Sequence, residues 1–239
     1  MSPGGVRSRY TDKETADIYT MVMSGKINKV IVGMLLRQGI RAVGVAGIDG
    51  GILKAERKKK LLIINEKGRK MMIDGGYTGK INGDSLAESP FFIGEAMAIL
   101  DFLKKQFVDV IHWTTSQNVS LNGYVPVVSP IALSEEYDFL NVDGDRAAAY
   151  VAGGVKADKV IFITNVNGLM LNEKLVTSMT LDQAKAALPK IGFGMEKKVL
   201  ACTEALEMGV KEAIIASGQI DNPISSAIAH SNCTVITPK

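Results

Sequence analysis

The sequence predicts an α/β fold, with a mostly parallel sheet and helices on both of its faces. Strand-like and helix-like segments alternate from residue 124 to the C-terminus, which is typical of strand–helix–strand units. Of the 239 residues, 46% are apolar and 22% are charged, as in an ordinary globular protein. This length is enough for one large α/β domain or two small ones.

A long helix is predicted near the N-terminus. Thr11-Asp12-Lys13-Glu14 has the capping-box pattern, in which a side-chain acceptor is followed three residues later by Glu. Apolar residues then recur at helical spacing until Gly39, which ends the pattern. The residues on this predicted face are Ile18, Met21, Val22, Val30, Ile31, Met34 and Leu35.

Short strands follow in the first half of the chain. A strand over 42–45 ends in the glycine-rich stretch 47–51, and two strand-like runs at 61–64 and 71–73 predict a hairpin. Residues 84–121 are atypical, because they combine an amphipathic helical pattern with a polar run and show no recognisable chemistry.

The second half carries the alternating pattern. Strands are predicted at 124–128, 160–164, 212–216 and 234–236, and helices at 146–152, 181–188, 195–208 and 223–229.

Composition argues against several classes of protein. No apolar run approaches the roughly 20 residues that cross a bilayer, and the N-terminus lacks the apolar segment of a signal peptide, so we expect a cytoplasmic protein. The net charge of +3 is too small to indicate nucleic-acid binding. The two cysteines, Cys202 and Cys233, and the two histidines do not have metal-ligand spacing. We expect no metal site, and we expect reduced, packed cysteines rather than a disulfide.

Two familiar nucleotide motifs are excluded. Residues 75–80, Gly-Gly-Tyr-Thr-Gly-Lys, resemble a P-loop, but Asp74 and Ile81 stand where that motif needs Gly and Ser or Thr. A hairpin or turn is favoured there. The dinucleotide pattern Gly-x-Gly-x-x-Gly does not occur at any strand-to-helix turn. An ATP site in this chain must therefore be built in another way.

Three polar segments of the second half are candidates for a site. Residues 141–145 precede an Ala-rich helix, where backbone amides and the helix dipole favour anions, although Asp145 alone would be a helix cap. The strand 160–164 empties into Asn165-Val166-Asn167-Gly168, at the end of a strand where α/β proteins bind ligands. Glycines at 192 and 194 precede a helix with a lysine one turn in, a pattern that also occurs with a solvated lysine.

Two basic segments are further candidates. Arg7 and Arg9 lie just before the first predicted helix and could bind a carboxylate bidentately, or they could belong to a flexible basic terminus. The run Arg57-Lys58-Lys59-Lys60 could dock an acidic partner, and a solvated charge run is equally compatible with it.

Taken together and in this order, these motifs resemble the amino acid kinase family, specifically its acetylglutamate-kinase branch. Within that branch the chain looks most like the kinases that act on aminoadipate or glutamate linked to the carrier protein LysW. The likeness runs from residue 2 to the end, apart from roughly 84–121. It rests on residues 2–11 (SPGGVRSRYT), 49–51 (DGG), 55–59 (AERKK), 75–80 (GGYTGK) and 126–132 (PVVSPIA).

The resemblance implies an amino acid kinase fold, with ATP and Mg²⁺ as the nucleotide complex, the acidic carrier LysW as a partner, and a homodimer. It also implies a role for each matching position. Arg9 and Asn141 would hold the amino-acid end of the substrate, Asp145 would orient catalytic lysines, and Lys198 would stabilise the transferring phosphoryl group. The residues expected along the nucleotide are Thr164, Asn165, Gly168, Gly194 and Met195.

The chain departs from the family pattern at three places. Asn165 stands where an acidic residue is frequent, and Cys233-Thr234 replaces a Gly-Thr pair. The pattern also begins with a Lys-x-Gly-Gly strand and a His-Gly-Gly-Gly loop that precede the first residues of this chain. We therefore expect residues 1–239 to form one domain that lacks the first strands. Two other readings stay open, an N-acetylglutamate kinase and a non-catalytic member of the family.

Overall fold

The computed structural model describes residues 10–64, 69–81, 125–192 and 194–239. The chain divides into two units, of which unit 1 ends at Asp143 and unit 2 runs from Gly144 to Lys239. Each unit has its own sheets and its own buried residues. The expectation of one domain over the whole chain stays a prediction.

Unit 1 opens with a continuous helical stretch in which a π-helical segment separates two α-helices. The stretch consists of α1 (Lys13–Thr20), the π-helical segment (Met21–Ile27) and α2 (Asn28–Arg37). Gly39, with φ at 79°, follows the end of the stretch as predicted. A glycine suits this position because other residues rarely adopt a positive φ.

The predicted cap of this helix was one residue off. Asp12 is the N-cap, and its carboxylate accepts a hydrogen bond from the Thr15 backbone N at 2.8 Å. Thr11 is instead buried. Its backbone O accepts a hydrogen bond from Tyr77 N at 2.7 Å, and its hydroxyl accepts one from the Asn141 side-chain amide at 3.2 Å. These distant contacts fix Thr11 outside the helix, and the capping pattern alone does not reveal them.

The apolar face predicted for this helical stretch is largely exposed. The residues of this face that are exposed to solvent are Ile18, Met21, Val22, Val30, Ile31 and Met34. The buried positions of the same stretch are Ala16 and Asn28. The fully buried residues of the packed side are therefore one small residue and one polar residue, and partly buried residues such as Val32 and Leu35 complete it.

The strands of unit 1 form small sheets. The described strands are β1 (Ala42–Ala46), β2 (Glu56–Arg57), β3 (Lys60–Ile64), β4 (Lys70–Asp74), β5 (Gly79–Lys80), β6 (Val125–Ser129), β7 (Ile131–Leu133) and β8 (Phe139–Asn141). Parallel pairing joins β1 to β6, and antiparallel pairing joins β2 to β5, β3 to β4 and β7 to β8. The predicted hairpin is confirmed as β3–β4.

The buried amide of Asn28 joins α2 to the parallel pair β1–β6. Its Nδ2 donates to Val127 O at 2.7 Å, to Ser129 Oγ at 3.1 Å and to Val45 O at 3.3 Å. Gly44 permits this approach, because a Cβ at that position would lie 1.8 Å from Asn28 Oδ1. The amide thus donates to carbonyl groups of both strands, in addition to the hydrogen bonds of the strand pair itself.

Replacing Asn28 with alanine is expected to lower the free energy of unfolding by about 1–3 kcal/mol. The substitution removes the hydrogen bonds that the buried amide donates to Val127 O, Ser129 Oγ and Val45 O, and a hydrogen bond of this kind contributes about 0.5–1.5 kcal/mol. Urea unfolding measures the effect. Lys26→Ala, at an exposed position two residues away, is the control and should leave the transition unchanged. An unfolding midpoint for Asn28→Ala equal to that of the parent chain would contradict this role.

Unit 2 contains a four-stranded sheet in the order β12-β14-β13-β9. β13 pairs in parallel with β9 and β12 pairs in parallel with β14, whereas β13 and β14 are antiparallel. The described strands of unit 2 are β9 (Lys159–Thr164), β10 (Met170–Leu171), β11 (Lys174–Leu175), β12 (Ser178–Thr180), β13 (Glu212–Ser217) and β14 (Cys233–Thr237). The helices are α3 (Gly144–Gly154), α4 (Leu181–Ala187), α5 (Met195–Glu207) and α6 (Pro223–Ile228).

Helices cover both faces of this sheet. One core joins the sheet to α3, α4 and α5, and Ala213 and Ile215 of β13 point into it. Ile214 and Ala216, the alternate residues of the same strand, pack with Ala227 of α6 on the other face. Unit 2 is therefore a three-layer α/β/α arrangement around a mostly parallel sheet, as the sequence predicts, because successive side chains of a strand point to opposite faces.

Three other expectations concern cysteines, metals and membranes. Cys202 and Cys233 are both buried and free of a disulfide, as predicted. Within the described residues, no group of three or more His, Cys, Asp or Glu side chains could hold a metal ion. The described helices include none that is long and apolar enough to span a membrane.

Candidate functional site

An ion pair between Asp145 and Lys198 is the centre of the candidate site in unit 2. Lys198 Nζ lies 2.8 Å from Asp145 Oδ1 and 3.0 Å from Oδ2. About a fifth of the Lys198 side chain and a quarter of the Asp145 side chain are exposed (20% and 25%). The ammonium group is therefore held by a carboxylate in a side chain that is mostly, but not completely, buried.

Two packed helices bring this pair together. Asp145 is the second residue of α3, inside its first turn and not before it, and Lys198 is the fourth residue of α5. α3 and α5 pack against each other along their buried alanines, among them Ala149 and Ala205. Because small side chains allow close approach of the helices, a lysine on one can reach a carboxylate on the other.

The chain direction places both helix N-termini at the carboxyl edge of the sheet. α3 packs on β9, and residues 155–158 connect the two. α5 packs on β13, and residues 208–211 connect them. When a helix packs on the next strand of the chain and only a few residues connect them, the helix must run antiparallel to that strand. Helix and strand are each roughly 17–20 Å long at about 1.5 Å and 3.3 Å per residue. Asp145 and Lys198 therefore lie toward the edge where β9 and β13 end.

A second ion pair supports the same helix packing. Arg146 Nε donates to Glu204 Oε2 at 2.9 Å and its Nη2 to Oε1 at 2.5 Å, a bidentate geometry. The hydrogen bonds from Glu204 raise the pKa of Arg146 above its usual value. The guanidinium thus stays charged and joins α3 to α5 one residue away from Asp145.

Apolar packing lies behind the Asp145–Lys198 pair. Cys202, one helical turn beyond Lys198, is fully buried. Burial raises the pKa of the Cys202 thiol, and the charge of Asp145 raises it further. The thiol is therefore neutral and is not a nucleophile, and it gives the pair an apolar neighbour on the side of the core.

The loop that follows β9 lies at this sheet edge as well. The Thr164 hydroxyl donates to Asn165 Oδ1 at 3.3 Å, and Thr164 O accepts from Gly218 N at 2.7 Å. Asn165 is exposed, whereas Gly168 is buried. Thr164 pairs in register with Ser217, the last residue of β13. The start of the loop is thus fixed by the neighbouring strand, and its middle is open to a ligand.

The glycine that precedes α5 occupies the N-cap position of the helix. Gly194 has φ at 92°, and a Cβ there would meet no atom within 4 Å, so the space beside it is open. Met195 follows as the first helical residue and packs against the core. Backbone amides and the dipole at a helix start favour an anionic ligand, although Glu196 N of this helix already donates to Gly192 O at 3.3 Å. The structure thus brings five of the candidate residues to the same sheet edge as the ion pair, namely Thr164, Asn165, Gly168, Gly194 and Met195.

The remaining two candidates belong to unit 1. Asn141 ends β8, its side-chain amide donates to the Thr11 hydroxyl at 3.2 Å, and its backbone N donates to Tyr77 O at 2.9 Å. It is half-buried. Arg9 lies outside the described residues. The amide of Asn141 is therefore held in place by Thr11, and its role as a ligand for substrate stays a prediction.

The predicted basic docking run is only partly available to a partner. Arg57 is used inside unit 1, where it donates to Gly76 O at 2.9 Å and to Asp138 Oδ2 at 3.0 Å and stacks over the Tyr77 ring. Lys59 and Lys60 are exposed. The prediction that residues 57–60 together form a docking surface is therefore wrong for Arg57, because its guanidinium group makes hydrogen bonds within unit 1.

Sequence reasoning missed two contributors to this site. The Arg146–Glu204 pair was not predicted, although each helix carries opposite charges, Asp145 and Arg146 on α3 and Lys198 and Glu204 on α5. That charge pattern is a usable signal for two helices that pack together. Thr234 is not among the predicted site residues, but its hydroxyl bonds to the segment that follows Gly168. No local pattern marks it.

The sequence comparisons indicate the family of this chain. The profile of the amino acid kinase family matches residues 2–217. The LysW-aminoadipate/LysW-glutamate kinase of Metallosphaera sedula is 41% identical over 229 residues, 95% of this chain and 77% of that protein. The kinase of the same name from Saccharolobus islandicus (strain L.S.2.15 / Lassen #1) is 41% identical over 236 residues, 98% of this chain and 78% of that protein.

A protein of Nitrosopumilus maritimus (strain SCM1) has higher identity. It is 58% identical over 235 residues, covering 98% of this chain and 78% of its own length. It bears the same name, with a qualifier that marks the activity as provisional.

Solved structures share the fold at low identity. N-acetylglutamate synthase from Neisseria gonorrhoeae superposes with a TM-score of 0.68 at 17% identity, over 97% of this chain and 45% of that one. Carbamate kinase of Giardia superposes with a TM-score of 0.56 at 12% identity, over 98% and 76%. At these identities the likeness shows the amino acid kinase fold alone. The family profile and the curated relatives show more than the fold. The chain belongs to the amino acid kinase family of phosphotransferases.

Proposed function

We propose that this chain phosphorylates the side-chain carboxylate of 2-aminoadipate or glutamate linked to the carrier protein LysW. The donor is ATP, and the product is an acyl phosphate for lysine or arginine biosynthesis. The observation that carries the proposal is the likeness, over 95–98% of the chain, to kinases that bear this substrate in their names. The geometry of unit 2 is compatible with the chemistry that such a kinase needs.

The acceptor requires little help from acid–base groups. A side-chain carboxylate is already ionised at neutral pH, so its attack on the γ-phosphorus needs no general base. What the transfer needs is in-line positioning and cations on the equatorial oxygens. Lys198 supplies such a cation, and Asp145 orients it through the two contacts of about 3 Å described above.

The nucleotide is proposed to lie along the carboxyl edge of the unit 2 sheet. Gly194 and Met195 offer the backbone amides at the start of α5, and residues 164–168 form the adjoining loop. Amides and helix dipole at such a position favour phosphate oxygens. Asn165, an amide where the family often has a carboxylate, adds no negative charge beside the phosphates.

Mg²⁺ is proposed to be carried by the nucleotide. The described residues offer no cage of three or more metal-binding side chains, and a nucleotide-borne ion needs none, since Mg²⁺ bound to substrate phosphates keeps several waters. When bound, the ion supplies positive charge to the phosphate oxygens. Lys198 and the backbone amides at the start of α5 donate hydrogen bonds to the same phosphates, and this requires no metal ion bound by protein side chains.

The acceptor end and the carrier are proposed to be bound by unit 1. The resemblance assigns the amino-acid end of the substrate to Arg9 and Asn141, and the amide of Asn141 is preset by Thr11. Lys59 and Lys60 are exposed and are proposed to attract the acidic carrier. Lys59 contacts Glu136 at 2.6 Å, but this pair is solvated and weak.

We also propose a homodimer, supported by the exposed apolar face of α1 and α2.

Carrier-linked substrate is expected to be turned over far better than free N-acetylglutamate. Hydroxamate trapping of the acyl phosphate measures both reactions. For the carrier-linked substrate, kcat/KM should fall as salt rises, because salt screens the attraction between basic patch and acidic carrier. The double variant Lys59→Glu/Lys60→Glu should reduce kcat/KM for the carrier-linked substrate, and Lys156→Glu, at an exposed site in unit 2, should not.

Two outcomes of this experiment contradict the proposal. Equal turnover of free N-acetylglutamate and carrier-linked substrate would favour an N-acetylglutamate kinase. Absence of acyl phosphate with either substrate, from protein that is folded by circular dichroism, would favour a non-catalytic member of the family.

A further inference from the structure

We propose that Thr234 is a positioning residue for the nucleotide-binding loop at residues 164–168. The proposal rests on the function proposed above, in which that loop lies along ATP. Thr234 belongs to β14 and is completely buried. It contacts the segment after the loop through its hydroxyl, so its effect on the nucleotide would be indirect.

The segment after the loop is a small hairpin. β10 and β11 pair antiparallel, with Asn172 and Glu173 at positive φ in the turn between them. At the base of the hairpin Val176 N donates to Leu169 O at 2.9 Å. The bond in the other direction, from Leu169 N to Val176 O, would complete the pair in an ordinary antiparallel ladder.

The Thr234 hydroxyl takes the place of that second bond. Leu169 N donates to Thr234 Oγ1 at 2.8 Å, and Thr234 Oγ1 donates to Val176 O at 2.6 Å. One hydroxyl thus satisfies both backbone groups, using its single hydrogen and one of its lone pairs. It joins the base of the hairpin to β14, whose next residue, Val235, donates from its backbone N to Thr177 O at 3.0 Å.

Gly168 shows how closely the loop depends on this contact. A Cβ at position 168 would lie 2.5 Å from Thr234 Oγ1 and 2.9 Å from Thr234 N. The backbone of the loop therefore runs directly over Thr234, and only glycine permits it. Leu169, the next residue, is buried to 1% exposure and anchored by the same hydroxyl.

Both ends of the loop are consequently fixed. Thr164 is held in β9 and by Gly218 N at 2.7 Å, and Leu169 is held by Thr234. The four residues between them have little freedom left, so they are ordered before a nucleotide binds. Preorganisation of this kind lowers the entropic cost of binding. Without the hydroxyl, one end of the loop would no longer be held. ATP binding would then have to order the loop, and the affinity for ATP would fall.

The test compares Thr234→Val, which keeps the shape and removes the hydroxyl, with Thr234→Ser, which keeps the hydroxyl. Affinity for ATP is measured by titration calorimetry, and KM for ATP, KM for the carboxylate acceptor and kcat by steady-state kinetics. Thr234→Val is expected to weaken ATP binding about tenfold, since two buried backbone groups lose their partner. Thr234→Ser should stay within about twofold of the parent chain, and KM for the acceptor should not change in either variant.

Thr203→Val is the matched control. Thr203 is another buried threonine of unit 2, and its hydroxyl donates to Leu200 O within its own helix at 2.7 Å. Its loss should leave ATP affinity unchanged. If Thr234→Val does not fold, Thr234→Cys replaces it, and its ATP affinity is expected to be lower than that of the serine variant, because a thiol is a weaker donor and acceptor than a hydroxyl.

The outcomes separate this inference from the proposed function. Unchanged ATP affinity in Thr234→Val with only a lower melting temperature would overturn the positioning role, as would equal weakening by serine and valine. Parent chain that binds ATP but makes no acyl phosphate overturns the proposed function, and the contrast between valine and serine would still support Thr234. Parent chain that does not bind ATP overturns both.

Discussion

Lys198→Ala is expected to lower kcat by about 10² to 10³ while affinity for ATP changes little. Removal of one preorganised electrostatic donor from a site of charge transfer typically costs that much in rate. The contribution is larger in the transition state than in the bound nucleotide, because charge moves onto the equatorial oxygens as the phosphoryl group transfers. Lys198 has the partly buried geometry that makes such a donor effective.

The measurement is steady-state kinetics with carrier-linked substrate, beside calorimetric titration of ATP. Lys185→Ala is the matched control, since Lys185 is a lysine of the same unit whose partner Glu207 lies in an exposed surface pair. Such a pair contributes little, so the control should keep normal turnover. Near-normal kcat in Lys198→Ala would show that the phosphoryl group is stabilised by another residue.

Asp145→Asn is expected to lower kcat on the order of 10-fold to 10²-fold, in the same direction as the lysine variant. Asparagine keeps the size of the side chain and one acceptor oxygen but loses the charge, and hydrogen bonds to charged groups contribute about 1.5–3 kcal/mol. Lys198 Nζ would no longer be held at 2.8 and 3.0 Å by a carboxylate. The ammonium group would then move between positions, of which only one serves the transfer.

Asp182→Asn provides the matched control for this variant. Asp182 is the second residue of α4, as Asp145 is of α3, and it is exposed. Both substitutions remove a carboxylate from the first turn of a helix, so any loss of dipole interaction is shared. The double variant Asp145→Asn/Lys198→Ala should be no slower than Lys198→Ala alone, because residues that act as a unit are not additive. Additive losses would refute the assignment of Asp145 as the residue that orients Lys198.

Local sequence patterns predicted most of the regular elements. The hairpin at 61–64 and 71–73 appears as β3–β4, and the helix at 195–208 as α5. Both patterns are encoded by neighbouring residues, through alternation for strands and helical spacing for helices. Short elements were missed, among them β7, β8 and the β10–β11 hairpin, since two or three residues carry too little periodicity to be recognised.

Long-range contacts decided the features that local patterns could not. The antiparallel pairing of β13 with β14 departs from a purely parallel sheet, and it depends on how the chain returns after α6. Thr11 has the sequence of a helix cap, yet its contacts with Tyr77 and Asn141 leave capping to Asp12. In each case a residue distant in the chain competes with the local preference, and the buried hydrogen bond prevails.

The same division applies to the candidate site. The sequence by itself determined the α/β class, the helix start at Gly194 and, through resemblance to a family, the identity of Asp145 and Lys198 as candidates. Only the tertiary structure joined these two residues, which are 53 positions apart, and only it assigned Arg57 to the fold and the Thr234 hydroxyl to the loop. Helical and strand periods are local properties of a chain, whereas an ion pair or a bridging hydroxyl needs two packed elements whose distance and direction no local pattern specifies.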